Sequence, residues 1–367
     1  MADPLPTPRR QVTGVQRPGR PARGRPRCSH GRDDRHPDDR YLAIVVGLAV
    51  LTTIVPTIYT EQAWLPVVVP GTALVVAGLG AWTSRVLRRH EGAPVRATTA
   101  ILARILAPPI LLVGVALPLR QAMGLVVVPR LEDLADPSID GVARAAVLAA
   151  MLVLSVCSAP LVWLFRHWPR VVGAVPLVVL LVMSTGLMHV EMVAAPAVSA
   201  LVTYGTAWFL GVARQEGTLG AVRAWKVAAG ASLLVAAGMG WTQFHRDPVL
   251  GADVTRTPIA AALIGTGLVL VVLRIRAAEA SRAQSVRISG LIARRLVTVY
   301  LWLGWSATVV MTARSLLAMR VGLDPGGGPG VDVALALVCT AVPVVVLGAA
   351  EAFLARRALQ RSTQPSE

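Results

Sequence analysis

Two stretches of the sequence place a histidine two positions before a carboxylate. His189 precedes Glu191 in "MHVEM", and His245 precedes Asp247 in "FHRDP". A histidine with a pKa near 7 is suited to remove the proton of a hydroxyl group, and a carboxylate can orient its ring. His189 with Glu191, at the outer end of the fifth predicted span, is the first candidate for a catalytic base. Residues two apart on a helix point to different faces, which weighs against direct pairing of these two, and they also fit ordinary interface residues next to an outer loop. His245 with Asp247, in an outer loop, is the second candidate.

A third candidate is Arg104, in the apolar stretch "ATTAILARILAPPILLVGVALPLR" from Ala97 to Arg120. A guanidinium group binds phosphate oxygens in forked pairs, so Arg104 could contact a phosphate-bearing donor. The alternative is a long side chain that reaches the membrane surface, where the cost of its charge is small. Pro108 and Pro109 follow it and are expected to break the backbone hydrogen bonding and kink the helix, which concerns shape rather than chemistry.

The elements that carry these residues have the composition of a membrane protein. The chain has 367 residues, 54% hydrophobic and 15% charged, whereas a soluble domain has about 25% charged residues. The mean hydropathy is +0.62, and apolar runs of about 18 residues or more recur along the chain. The sequence therefore predicts an all-α integral membrane protein whose helices form one bundle.

The apolar runs predict about ten transmembrane helices, and the loops between them set the orientation. Most of the 36 basic residues fall in the N-terminal tail and in alternate loops, which the positive-inside rule places in the cytoplasm. We therefore expect a multi-pass protein of the cell membrane with both termini cytoplasmic. The candidate helices are residues 41–60, 64–83, 99–118, 145–165, 171–190, 195–213, 225–242, 257–273, 296–318 and 332–354.

The two ends of the chain are predicted to be cytoplasmic tails. Residues 1–40 are rich in Arg, Pro and Gly and hold ten of the 36 basic residues, so we expect them to be disordered. Their "RGRPR" (Arg23 to Arg27) has the pattern of a minor-groove AT-hook. Attraction to anionic lipid is the preferred interpretation, and no nucleic-acid partner is expected. Residues 41–355 then form the transmembrane domain, and residues 356–367 form the second tail.

Several functional classes lack the residues that they need. The loop "VGLDPGGGPG" (residues 321–330) has no Lys-Ser/Thr pair of a phosphate-binding loop. We find no dinucleotide motif and no Gly-x-Ser-x-Gly motif. Cys28, Cys157 and Cys339 lie far apart, so we expect no metal site. A transporter of ions or solutes would need acidic residues within the spans, and the predicted helices hold almost none.

The order of short motifs along residues 39–355 resembles the membrane acyltransferase 3 family, in its actinobacterial versions. The first helix begins with "DRY", the second span has a Pro-Gly step and ends in the Arg-rich "SRVLRRHEGAPVR", and "RILAPP" lies at the start of the third. "SAPLVWLFRHWPR" resembles the junction of the family's fourth and fifth helices. "YGTAWFLGVARQEG" and "VTVYLWLGWSA" resemble two later spans.

The resemblance implies a ten-helix enzyme that transfers an acyl group from a thioester donor to a hydroxyl of a carbohydrate, lipid or metabolite. The donor, of the acyl-CoA type, would be a co-substrate; no bound cofactor is implied, and membrane lipids are the other expected partners. The family's proposed base is a histidine near the outer end of the first helix. An Arg-x-x-Arg pattern at the start of the third helix is thought to face the donor, and Arg104 matches its second arginine.

The sequence departs from the family pattern at positions that would carry the chemistry. The first-helix histidine falls near Thr57, in a predicted helix without histidine. Ile101 replaces the first arginine, and Leu303 stands where the late helix keeps a histidine. Two functions therefore remain open. One is an O-acyltransferase whose catalytic base lies at a different position from that of the family. The other is a catalytically degenerate membrane scaffold or lipid-linked substrate carrier on the same fold.

Overall fold

The computed structural model describes residues 71–90, 92–126, 137–185, 195–245, 257–274 and 329–361, together with Gly47 and parts of 295–314. Within these ranges the regular structure is entirely helical, which confirms the all-α part of the prediction. The helices are α1 Gly71–Arg89, α2 Pro94–Val126, α3 Pro137–Val156, α4 Ser158–His167, α5 Pro169–Ser184, α6 Ala195–Gln215, α7 Thr218–Ala221, α8 Ala224–Phe244, α9 Pro258–Arg274 and α10 Pro329–Arg361.

Most helices overlap the apolar runs that predict them, but several differ in extent. α2 runs from Pro94 to Val126 and does not end at Pro108 and Pro109, so these prolines remove backbone donors without stopping the helix. α10 continues to Arg361, beyond its predicted end at residue 354. Residues 297–303 are helical within the ninth predicted helix. The N-terminal tail lies outside the described residues, as does the predicted first helix except for Gly47.

The helix predicted over residues 145–165 is in fact two helices. α3 ends at Val156, α4 begins at Ser158, and the two are bent by 68° at the break. Pro160 explains the position of the break, because its ring would clash with the carbonyl oxygen of Val156 in a continuous helix. A second proline, Pro169, occupies the first turn of α5, where its missing N–H costs nothing.

α6 is the central helix of the bundle and packs against α1, α3, α5 and α9. Its Trp208 and Val212 are completely buried in the main core. The backbones of α6 and α1 touch where the two helices cross. Gly80 of α1 faces the carbonyl group of Trp208, and Gly211 of α6 faces the carbonyl group of Ala77. A Cβ at either glycine would overlap the opposing carbonyl. Close approach through small residues is the usual way in which membrane helices pack, since lipid provides no hydrophobic drive between them.

α8 and α9 form an antiparallel pair that uses the same packing. Gly238 of α8 lies against α9, where a Cβ would stand 2.7 Å from Ile264 Cγ1. Gly267 of α9 lies against α8, where a Cβ would stand 2.8 Å from the carbonyl oxygen of Ala231. Each glycine therefore allows its partner helix to approach more closely than any larger residue would permit.

The outer surface of the described bundle is apolar along whole helix faces. α5 exposes a stripe of aliphatic side chains, and α10 exposes another. Such long stripes are rare on soluble monomers but are expected where a protein meets lipid. The exposed residues are Val171, Val175, Val178 and Leu181 on α5, and Leu335, Val338, Val342 and Val345 on α10.

Two described helices, α6 and α8, are long and apolar enough to cross a membrane. A third span results if the bent pair α3–α4 is counted as one crossing. α5, α9 and the segment Gly330–Val345 are apolar but shorter. The described residues therefore support a helical protein with membrane-spanning segments.

Candidate functional site

A charged cluster around Glu216 joins the ends of three helices. Glu216 directly follows α6, and Ser84 and Arg88 lie in the last turns of α1. Ser84 Oγ donates to Glu216 Oε1 over 2.7 Å, and Arg88 donates from Nη2 to Oε2 over 2.7 Å and from Nε to Oε1 over 3.2 Å. Arg166, at the end of α4, donates from Nη2 and Nε over 3.2 and 3.3 Å. One carboxylate thus accepts two guanidinium forks and a hydroxyl.

The turn after α6 holds the Glu216 carboxylate in place. Gly217 adopts a left-handed conformation, with φ of 79°, which is the usual glycine position just beyond a helix end. Its N–H donates to the carbonyl oxygen of Arg214 over 3.2 Å, and the Glu216 N–H donates to that of Val212 over 2.8 Å. The chain can therefore turn sharply after Glu216 while the last helical carbonyls stay bonded.

The electrostatics of the cluster keep Glu216 ionised. Partial burial would raise the pKa of this carboxyl, because desolvation penalises the charge. The hydrogen bonds from Arg88, Ser84 and Arg166 outweigh burial and lower the pKa to about 2. The side chains of Arg88 and Arg166 remain 40% and 39% exposed, whereas Glu216 is 11% exposed. With two arginines for one carboxylate, the cluster presents positive charge to its surroundings.

A fourth helix end lies close to the same turn. Arg274, the last residue of α9, donates from Nη2 to the carbonyl oxygen of Val222, which caps α7. The ends of α1, α4, α6 and α9 therefore meet at one end of the bundle. These ends belong to loops that the charge pattern predicts on one side of the membrane, namely residues 84–98, 166–170, 214–226 and 274–295.

Arg104 lies near this end of the bundle, on the side of α2 that faces α1. Its guanidinium carbon is 5.1 Å from the ring centroid of Trp82, which lies two residues before Ser84 on α1. A cation over a tryptophan face is attracted to the ring without losing its hydrogen-bonding edge. Ile101, where the resembled family has an arginine, is completely buried in the core. That position therefore packs the bundle and cannot reach a ligand.

Of the four candidate acid–base residues, the structure describes only His245. Its Nδ1 is 3.1 Å from the carbonyl oxygen of Trp241, and its ring stacks on Trp241 at a centroid distance of 4.4 Å. When Nδ1 donates to that carbonyl, Nε2 keeps its lone pair, as a base requires. Asp247, His189 and Glu191 lie outside the described residues, so their proposed roles stay predictions.

His245 and Arg104 lie toward opposite ends of the bundle. α8 begins just after Val222 in the turn that Arg274 contacts, and it ends at Phe244. Its 21 residues rise about 30 Å. Leu303, where the resembled family has a histidine, is 1% exposed and packs with Val310 and Ala336. Among the described residues, no group of three His, Cys, Asp or Glu side chains is placed to hold a metal ion.

Glu216 was not among the candidates that the sequence indicates. The sequence gives only a weak indication of its role, because Glu216 is a single acidic residue within a basic loop, between Arg214 and Arg223. Its partners lie 50 to 132 positions away along the chain. Comparison of the chain with protein-family models, with characterised proteins and with solved structures finds no match in any of the three.

Proposed function

We propose that the chain is a ten-helix, multi-pass protein of the cell membrane that binds a phosphate-bearing acyl thioester at its cytoplasmic end. The observation that carries the proposal is the gathering of half-exposed guanidinium groups there. Arg88 and Arg166 share a single carboxylate, and Arg104 lies on the neighbouring α2. Forked guanidinium groups at one end of the bundle suit the phosphates of a donor of the acyl-CoA type.

The proposed reaction is O-acyl transfer to a hydroxyl of a carbohydrate, lipid or metabolite. A base removes the hydroxyl proton, the oxygen attacks the thioester carbonyl, and the C–O bond forms as the C–S bond breaks. The thiol leaves with a proton. His189 with Glu191 is the first proposed base, and His245 with Asp247 is the second. The Nδ1 contact of His245 with a backbone carbonyl supports its ability to accept a proton at Nε2.

Membranes that contain the full chain and a labelled acyl-CoA test this proposal. R104A should raise the KM for the donor about 10-fold, because one charge-assisted contact is lost. R96A is the matched control, since Arg96 is an exposed arginine of the same helix. H189A and H245A should identify the base through a loss in kcat. Absence of transfer with every donor, or transfer that survives all these variants, would refute the proposal.

A second candidate function is a non-catalytic scaffold or lipid-linked substrate carrier on the same fold. Two buried side chains favour it: Ile101 and Leu303 fill the core at positions where the resembled family keeps an arginine and a histidine. A carrier would bind a lipid-linked ligand or the donor without turnover. Saturable binding of labelled acyl-CoA together with no product in the same membranes would select this function over transfer.

A further inference from the structure

α4 leaves the axis of α3 at a bend of 68° at Cys157. α3 has 20 residues and rises about 30 Å, which is about the hydrocarbon thickness of a bilayer. With α3 as the membrane crossing, oriented along the membrane normal, the bend places α4 closer to the membrane plane than to the normal. Arg166 fixes the far end of α4 to Glu216, beside the ends of α1 and α6. The position of α4 is therefore that of a helix lying along the surface, at the end predicted to be cytoplasmic.

The two faces of α4 differ in the way expected of such a helix. Ser158, Val162 and Phe165 are buried, at intervals of four and three residues. Phe165 stacks on Phe209 of α6 with a ring-centroid distance of 5.8 Å. The opposite face carries the exposed Trp163. Its ring centroid is 4.4 Å from that of His167, one helical turn further along. The outward face is thus aromatic and basic rather than simply polar.

The corner between α4 and α5 extends this outward face. Trp168 is 60% exposed and Trp163 is 59% exposed, large values for tryptophan. Arg170 is exposed two positions after Trp168, and residues 157–170 contain no acidic residue. Tryptophan is enriched where lipid headgroups meet the acyl chains, since its ring is apolar and its N–H needs a polar partner.

The start of α8 repeats the arrangement at the same end of the bundle. Trp225 is 64% exposed, and Lys226 Nζ lies 5.7 Å from its ring centroid. Exposed tryptophans close in sequence to Arg or Lys therefore occur on two separate elements at the same end of the bundle. A layer of phosphate groups just outside a hydrocarbon phase would contact both.

We infer that the α4–α5 corner, residues 163–170, binds the headgroups of anionic phospholipids in the cytoplasmic leaflet. The rings of Trp163 and Trp168 would lie at the headgroup level, and Arg170 and His167 would face phosphate oxygens. Arg166 holds the corner in position through Glu216. Residues 163–170 contain no acidic residue, and Glu216 is engaged by Arg88 and Arg166, so the positive charge of Arg170 favours an anionic bilayer surface over a protein partner. The inference depends on the proposed membrane orientation but not on acyl transfer.

Tryptophan quenching in nanodiscs tests the inference with the full chain. The probes are phosphatidylglycerol and phosphatidylcholine brominated at the same acyl positions and used at the same mole fraction. We expect brominated phosphatidylglycerol to quench more strongly, and W163F/W168F to lose most of that difference. R170Q should lower the preference by up to about fivefold, the effect of one basic residue near an anionic leaflet. R96Q, an exposed arginine at the same end, is the matched control.

Three outcomes would overturn the inference. Equal quenching by the two lipids would show no preference for an anionic headgroup. An equal loss in R170Q and R96Q would show that only the total charge matters. Trp163 and Trp168 unquenched by either lipid would place the corner in water or against a protein. Inorganic phosphate, compared with chloride of equal ionic strength, should leave the preference unchanged, because the proposed site is part of a bilayer surface.

Discussion

At the scale of single residues, the carboxylate of Glu216 connects segments that are far apart in the chain. Its hydrogen bonds reach Ser84 and Arg88 on α1 and Arg166 on α4. No local pattern could have indicated these partners, because sequence periodicity reports neighbours within one helix only. The basic character of the helix ends, by contrast, can be read from the sequence, and the positive-inside rule predicts from it which side of the membrane they face.

Loss of Arg88 should weaken the bundle more than loss of the adjacent Arg89. R88Q removes a two-bond fork to Glu216 and should cost about 1 kcal/mol, at the upper end for partly exposed ion pairs. R89Q is the matched control, because Arg89 is exposed in the same helix turn. Thermal unfolding in detergent should give R88Q a Tm about 2–4 °C below that of R89Q. Equal Tm values would mean that the cluster is not stabilising.

The Glu216 carboxyl also predicts how stability depends on pH. Its pKa is about 2 in the folded chain, below the ordinary value of 4.5. A lowered folded-state pKa adds stability that is complete above the ordinary pKa and is lost as pH falls toward the folded value. The Tm difference between the wild type and E216Q should therefore be constant above about pH 5 and shrink between about pH 4.5 and 2. A difference that stays constant down to pH 2 would contradict this assignment.

At the scale of helices, apolar runs were enough to predict most of the described elements. α6, α8 and α9 lie within a few residues of their predicted ranges. Hydropathy failed at the α3–α4 break because averaging over a window hides one proline, although Pro160 was visible in the sequence. Contacts between helices were beyond prediction, since the glycines at the crossings do not differ in sequence from glycines that face outward.

The crossing of α1 and α6 should tolerate no side chain at Gly211. A Cβ there would overlap the carbonyl group of Ala77, and backbone cannot move aside as a side chain can. G211A should therefore destabilise the protein by about 1–3 kcal/mol, the usual cost of overpacking. G230A is the control, because Gly230 lies inside α8 with nothing within 4 Å of its would-be Cβ. Its replacement should be neutral or stabilising by about 0.5–1 kcal/mol.

The measurement for this pair is the Tm and the monodisperse yield of each variant after extraction in one detergent. Both the Tm and the yield should be lower for G211A than for the wild type, and for G230A they should equal or exceed the wild-type values. If G211A behaved like G230A, the backbone contact between α1 and α6 would not exist in the folded protein. The comparison isolates packing, because both substitutions add one methyl group to a glycine within a helix.

At the scale of the whole molecule, the bundle brings together four helix ends that the charge pattern predicts on one side of a membrane, and which side that is stays a prediction. The pattern places four basic loops on one side from their composition alone. The bundle joins their ends through Glu216 and through the contact of Arg274 with Val222. The candidate bases, two pairs of a histidine and a carboxylate, were predicted only as types of residue, because the sequence does not specify what their side chains contact. The site therefore remains less well predicted than the fold that carries it.

Cysteine labelling tests the orientation directly across α8. Phe244, at the end of α8, is 88% exposed, and Gly220 is exposed in α7 just before its start. In a background with Cys28, Cys157 and Cys339 changed to Ser, an impermeant maleimide should label F244C in intact cells and G220C only after permeabilisation. The two positions are separated by about 30 Å of helix, enough to cross the hydrocarbon. The reverse pattern would mean that the protein has the opposite orientation in the membrane. Labelling of both positions from outside would mean that α8 does not cross the membrane. Either result would also remove the cytoplasmic donor site, because Glu216, Arg88 and Arg166 lie at the Gly220 end.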